Sequence, residues 1–319
     1  MDKIERFSKV SFGKDQKEDS MAKPVSIQEY LRPKNLLEAC ECLGNHPEAR
    51  LLAGGTDLLN ALSRVPEGRV TIISLRDIGE IREVRIMPGG EVFIGATASH
   101  REVTESPIIR EHFPSLAKAC GMVGSPSIRN TGTIGGNVAT ASPSADSIPP
   151  LIAYEAGAVV FSPAGEREVP VEELFLGPSK TILRRGEILK GFRLRSRFGR
   201  RAEYEKLGTR KAMEIAVVNA CVSLVLDDGN TCDDVRIALG AVAPTPVRAK
   251  RAEEVLRGKI LTEEVIRRAA GEAMEEIRPI SDIRASAGYR KSMTGVLVQE
   301  LITRALPRGG MIPRNERRQ

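Results

Sequence analysis

Apolar side chains recur in two periods along this chain, and the alternation between them predicts its elements. The stretch from Ser26 through "SIQEYLRPKNLLEACECLGN" predicts a short helix, with Leu36, Leu37, Cys40 and Leu43 at helical spacing and Gly44 ending it. "ARLLAGG" predicts a short buried strand running into glycines, "TDLLNALSRV" a helix, and "VTIISL" a β-branched strand. Together they predict a small α/β unit with a glycine loop at a strand-to-helix corner.

Period-two alternation then takes over. "IREVRIMPGGEVFIGATAS" predicts a hairpin turning at Pro88, Gly89 and Gly90. Ser99 is placed to cap a helix that ends before Pro107, and "IIREHFPSLAKACGMV" continues helical. "GAVVFSPAGEREVP" predicts a second hairpin, "VEELF" a short helix and "EILKGFRL" a strand. After the charge-dense "RSRFGRRAE", a plausible linker, comes a long hairpin turning at Asp228-Gly229-Asn230. Three helical patterns follow: "RAKRAEEVLRGK", "TEEVIRRAAGEAMEEI" and "ASAGYRKSMTGVLVQELITRAL". Strands followed by helices, without βαβ alternation, predict an α+β domain.

The expected division is a flexible tail over 1–22, a two-lobed domain over 23–197 (lobes 23–79 and 80–197), a C-terminal domain over 198–307 and a basic tail over 308–319. The 319 residues suffice for about two domains. Composition is that of a globular chain, 41% hydrophobic and 28% charged. The net charge of +6 is mild and spread over short runs, and with 4% aromatics and no Trp there is no stacking platform, so nucleic-acid binding is set aside. No apolar stretch is long enough to span a bilayer, and none near Met1 has a signal-peptide pattern. The five cysteines are scattered without C-x-x-C spacing, which points to a reduced, cytoplasmic setting. The three histidines form no ligand cluster, so no metal ligand is assigned. Nor is a catalytic residue: there is no nucleophile elbow, no Ser/His/Asp order and no carboxylate pair.

Two glycine-pair segments carry the candidate chemistry. "RLLAGGTDLL", residues 50–59, and "TGTIGGNVATASPSAD", residues 131–146, each put adjacent glycines beside hydroxyl and polar groups. Glycine permits positive φ and close approach of a ligand, and successive N–H groups in such a turn form an anion-binding nest. Thr56 and Thr133 add hydroxyls and Asn137 an amide, a set suited to a diphosphate. Neither segment is a P-loop or a Rossmann fingerprint, and either alone also reads as a tight turn at a strand end. Two in consecutive lobes point to one ligand clamped between them.

Together with "YEKLGTRKAMEIAVVN", residues 204–219, these segments resemble, in order and spacing, the FAD subunit of molybdenum hydroxylases, the medium-subunit family of xanthine and carbon monoxide dehydrogenases. The likeness runs from about Pro24 to about Leu306. It implies a two-lobed FAD-binding domain of the vanillyl-alcohol-oxidase/PCMH-like type, followed by an α+β domain with a small antiparallel sheet and helices. It also implies FAD as cofactor, with Leu51, Leu52, Ala53, Gly54, Gly55, Thr56, Asp57 and Leu58 on one side and Thr133, Ile134, Gly135, Gly136 and Asn137 on the other. Asp146 matches a family carboxylate on the adenosine side, although it also reads as an N-cap for "SIPPLIAYEAG". Leu189 matches an apolar contact of the isoalloxazine or a plain core leucine, and Lys206 a cation near the flavin or a surface lysine. Val123 and Gly124 match a less specific contact region. The implied role is electron relay: electrons arrive from the [2Fe–2S] clusters of a small subunit, fed by a molybdopterin-binding large subunit, and leave to NAD+ or another acceptor. Two alternatives are a stand-alone FAD-dependent reductase or oxidase of the same fold, and a non-catalytic nucleotide- or partner-binding module.

Overall fold

Strand β1 (Ser26–Leu31) opens the described chain where the sequence predicts helix. It pairs in parallel with β3, Ser26 opposite Arg69 and Leu31 opposite Ile73, although its own Ile27 and Tyr30 stay exposed. Pairing with a buried neighbour, not a one-sided apolar face, therefore decides its state. Pro33 keeps the preceding residue out of the helical region, so the helix starts afresh. Helix α1 (Leu36–Asn45) is capped by the Asn35 side chain, which accepts from the Glu38 N–H, and buries Leu36, Ala39 and Cys40. Leu37, at predicted helical spacing, faces solvent. Strand β2 (Arg50–Leu52), helix α2 (Leu58–Leu62) and β3 (Arg69–Ser74) complete a three-stranded parallel sheet of order β1-β3-β2. The first glycine segment sits at its β2-to-α2 corner, as predicted. The structure, a computed structural model, describes residues 25–64, 68–210, 213–227, 229 and 231–307. The two tails and the turn residues Asp228 and Asn230 lie outside the described residues.

The second lobe is antiparallel. Strands β4 (Val84–Ile86) and β5 (Val92–Gly95) form the first predicted hairpin. Helices α3 (His100–Glu105), α4 (Pro107–His112), α5 (Pro114–Gly121), α6 (Pro126–Thr131), α7 (Ile134–Ala139) and α8 (Ile148–Ala153) follow. Ser99 caps α3 in a full capping box with Glu102. The helical pattern from Ile108 breaks into α4 and α5 because Pro114 begins a new helix after the non-helical Phe113. Strands β6 (Gly157–Ser162) and β7 (Gly165–Pro170) form the second predicted hairpin. "VEELF" makes only one 3-10 turn, Val171–Glu173, before the short strands β8 (Phe175–Gly177) and β9 (Lys180–Thr181). Strand β10 (Ile188–Leu194) then inserts centrally, giving a five-stranded sheet of order β4-β5-β10-β6-β7.

Strand β11 (Arg201–Leu207) starts inside the stretch that reads as a linker. With β12 (Val218–Leu226), β13 (Cys232–Gly240) and β14 (Val247–Arg248) it makes an antiparallel sheet in sequential order. Helices α9 (Lys250–Leu256), α10 (Glu263–Glu276) and α11 (Ala287–Ala305) cover it. One face of this sheet packs on the helices, through Val218, Val222, Ile237 and Leu301 among others. Tyr204, Cys221 and Ala238 instead join the core of the second lobe, so the third sheet is buried on both faces. Ion pairs reinforce that junction: Glu155, just past α8, meets Arg200 and Arg236 at 2.8 and 2.7 Å.

Candidate functional site

A cleft of about 730 Å³ lies between the parallel sheet and the second lobe, within the size range of small-molecule sites. Of the eighteen residues that the resemblance marks, thirteen line it: Leu51, residues 53–58, Val123, Thr133, residues 135–137 and Leu189. Leu52, Gly124, Ile134, Asp146 and Lys206 stand outside that lining.

The first glycine segment is the open one. Among the described residues, the backbone N–H groups of Gly54, Gly55, Thr56, Asp57 and Leu58 find no acceptor within the chain. Gly55 holds φ at +83°, a conformation that glycine adopts without strain, in a segment that lines the cleft. Five adjacent donors on one wall make a concave anion site.

The second segment differs from its reading as a loop. Thr133 caps α7 by accepting from the Gly136 N–H at 3.1 Å, and Ile134 and Gly135 donate to Ala98 and Ala96 at 3.0 and 2.9 Å. Asn137 donates to the Thr133 carbonyl at 2.9 Å. The amides of residues 134–137 are therefore engaged, and this stretch offers surface and side chains instead. Its glycines serve close packing: a Cβ on Gly135 would lie 2.6 Å from the Ala96 carbonyl oxygen. Gly54 has the same need across the cleft floor, where a Cβ would lie 2.8 Å from Gly132 Cα. The two glycine segments thus touch each other, main chain against main chain. Asn137 accepts from the Ser147 hydroxyl at 2.7 Å, which fixes its amide beside the cleft.

Sequence reasoning missed several lining residues because nothing local marks them. Ala96 and Thr97 come from the turn after β5, His100 from the start of α3, Ser179 from the β8–β9 turn, and Leu183 and Glu187 from the connection into β10. His100 is 2% exposed, and its Nδ1 is buried without a hydrogen-bond partner. Burial, then the Arg129 charge, pushes its imidazole down to about 4, so it is neutral near pH 7.

Asp146 and Lys206 form a buried pair behind the cleft, Nζ to Oδ2 at 2.7 Å, their side chains 8% and 5% exposed. Tyr204 and Asn219 donate to the other carboxylate oxygen at 2.9 and 3.2 Å. Burial pushes the Asp146 carboxyl up, while Lys206 and the two neutral donors pull it back, and a carboxylate facing three donors is the form this arrangement suits. Asp146 is not an N-cap: Ser147 occupies that position of α8. Lys206 also donates to the Met122 carbonyl at 3.2 Å, next to the cleft residue Val123.

FAD fits this cleft on the structure's own terms. The five unpaired amides and Thr56 match a diphosphate, and Val123, Leu183 and Leu189 supply an apolar wall for a planar ring. Two lobes, one built on a parallel and one on an antiparallel sheet, with a dinucleotide-suited cleft between them define an FAD-binding oxidoreductase component of the vanillyl-alcohol-oxidase/PCMH-like class. The comparisons with known proteins narrow the class. The FAD binding domain in molybdopterin dehydrogenase matches residues 23–194, and the CO dehydrogenase flavoprotein C-terminal domain matches residues 202–305. The chain is 36% identical over 282 residues to the carbon monoxide dehydrogenase medium chain of Hydrogenophaga pseudoflava, covering 88% of this chain and 97% of that one. It is 30% identical over 285 residues to the xanthine dehydrogenase FAD-binding subunit of Escherichia coli O157:H7, at 88% and 97% coverage. A solved structure of the H. pseudoflava carbon monoxide dehydrogenase superposes with a TM-score of 0.83 at 35% identity, covering 89% of this chain and 98% of that chain. The chain belongs to the FAD-binding medium subunits of the molybdenum hydroxylases.

Proposed function

We propose that this chain is the electron-transfer subunit of a molybdopterin-dependent hydroxylase or dehydrogenase complex. In it, a large subunit holds the molybdopterin, a small subunit holds two [2Fe–2S] clusters, and NAD+ or another acceptor takes the electrons. The observation that carries this reading is the run of five free amides, Gly54 to Leu58, facing an apolar wall across one cleft. The relatives' designations as medium chain and FAD-binding subunit support the partners, since a medium chain implies a larger and a smaller one.

When bound, FAD would supply the redox chemistry that no side chain of this chain provides. The chain's residues bind and orient. The amides of residues 54–58 and the Thr56 hydroxyl would hold the diphosphate, Asn137 would add a donor, and Leu189 would supply an apolar surface for the ring, all from positions in the cleft lining. Leu51, Ala53, Val123, Thr133, Gly135 and Gly136 shape the remaining wall. Lys206 and Asp146 act from behind it, fixing the Met122 carbonyl and with it Val123. No side chain is asked to break or form a bond. The flavin-binding domain spans 23–197 and the C-terminal domain 198–307, in a complex placed in the cytoplasm; among the described residues no helix is long and apolar enough to cross a membrane.

The test is reduction of the FAD-loaded chain. In isolation it should turn over no small reduced substrate, whereas with its [2Fe–2S] and molybdopterin partners it should be reduced by the complex's substrate. Fast substrate oxidation by the isolated chain would instead favour a stand-alone reductase or oxidase.

A further inference from the structure

His100 lines the cleft, yet its ring has no hydrogen-bond partner within the described residues. The residue opens α3, where its backbone N–H donates to the Gly132 carbonyl at 2.9 Å and its own carbonyl accepts from the Thr104 hydroxyl at 2.8 Å. The main chain is thus satisfied and fixes the ring at the meeting point of the two glycine segments. A Cβ built on Gly132 would touch both the His100 ring edge, 3.5 Å from Cδ2, and the Thr56 hydroxyl, at 3.4 Å. The imidazole and the hydroxyl that ends the first glycine pair therefore flank the same glycine, and both residues line the cleft.

The side chain itself is unpaired. Among the described residues no hydrogen bond reaches either ring nitrogen, although Nδ1 is fully buried. A neutral imidazole has one donor and one acceptor, and leaving such groups buried without partners destabilises the fold. A phenylalanine or leucine would fill the same space without that cost. Nδ1 has no accessible surface and cannot be reached from the cleft, but Nε2 is not among the solvent-excluded atoms, and the ring lines the cleft next to five unpaired amides, so Nε2 is the ring nitrogen open to a cleft ligand.

We infer that the His100 imidazole is a further contact of the cofactor's diphosphate, donating a hydrogen bond through Nε2 to a phosphoryl oxygen opposite the amides of residues 54–58. The inference rests on the reading of the cleft as the FAD site. It assigns a side-chain donor to the second lobe, whose amides from Ile134 to Asn137 are already engaged, so that the diphosphate is held from both walls. Because burial keeps the free imidazole neutral, it enters as a donor without a counter-charge to desolvate, and an approaching anion favours its protonation.

The experiment separates the diphosphate from the flavin ring. The full chain, stripped of cofactor, is titrated with FAD, with ADP and with riboflavin, as wild type and as His100→Phe and His100→Gln. ADP carries the diphosphate without the ring, and riboflavin the ring without the diphosphate. For His100→Phe, FAD and ADP should both weaken by about ten- to a hundred-fold while riboflavin binds as before. His100→Gln, which restores a donor, should recover part of that loss. Equal weakening of all three ligands, or unchanged ADP binding, overturns the inference and leaves His100 a packing residue. Should the variants fail to fold, the wild-type imidazole nitrogen resonances decide. They should move on adding ADP and stay put with riboflavin, and the reverse overturns the inference. A wild-type chain that binds FAD while the variants bind it equally well removes this inference alone. A wild-type chain that binds no FAD removes the reading beneath it.

Discussion

Replacing Gly54 by alanine adds one methyl group where the two halves of the cleft touch. The new Cβ would lie 2.8 Å from Gly132 Cα and 2.9 Å from the Thr131 carbonyl carbon, and closer still to the Thr131 carbonyl oxygen. Carbon atoms rest comfortably at about 3.5–4.0 Å, so the segments must separate by roughly 0.7 Å or more. The obstacles are main-chain atoms held by the Gly132 N–H bond to Ile128 and by the Gly132 carbonyl, which accepts from His100. No flexible side chain can swing away. Overpacking of this kind costs about 1–3 kcal/mol, and main-chain neighbours place the change at the upper end. Cofactor retention should suffer more than stability, because the separation moves the free amides away from the opposite wall. Gly271→Ala is the matched control: it lies within α10, nothing stands within 4 Å of its added Cβ, and it should gain about 0.5–1 kcal/mol from helix propensity. Thermal melts of both variants, with FAD absorbance after desalting, make the comparison. A Gly54→Ala chain as stable and as fully loaded as wild type would refute the packing argument.

Other expectations draw on the same surroundings. His100 titrates at about 4 when folded against the ordinary 6.5, so below pH 6.5 the unfolded chain binds a proton that the native chain refuses. This protonation penalty is absent above pH 6.5 and grows as pH falls toward 4, to about 3 kcal/mol. Urea midpoints at pH 7 and pH 4.5 should therefore diverge less in His100→Phe than in wild type, and equal divergence would contradict the burial argument. Lys206→Met strands the Asp146 carboxylate in a buried site and should cost about 3–5 kcal/mol by urea unfolding; a loss below about 1 kcal/mol would mean that the pair is solvated. Asn137→Ala should weaken FAD binding by about 1–3 kcal/mol in a fluorescence titration, since it removes a fixed amide and leaves the Ser147 hydroxyl without its acceptor.

Much of this architecture is legible in the residues, and the exceptions have physical causes. The β4–β5 and β6–β7 hairpins follow from alternation and from turn residues such as Gly89, Gly90 and Gly165, all at positive φ. The corner at Gly54–Gly55 follows from an apolar strand meeting small residues. Strand β1 does not, because its state is set by pairing with β3, a partner some 40 residues away, with Ser26 donating to the Gly68 carbonyl. The glycine pairs announce a site, yet only the fold shows that one segment presents free amides while the other spends its own on Ala96, Ala98 and Thr133. Asp146 and Lys206 are each visible in their motifs, but their pairing 60 residues apart depends on β11 lying against the second lobe. His100 carries no signal in sequence at all, since its meaning lies in the partner that it lacks.

The most direct measurement is the absorbance spectrum of the purified full chain after incubation with FAD and desalting, with the released cofactor identified by chromatography. A flavin spectrum is expected, with FAD as the released species and about one FAD per chain, falling sharply in Gly54→Ala. A folded chain that retains no flavin would contradict the reading of the cleft as the FAD site.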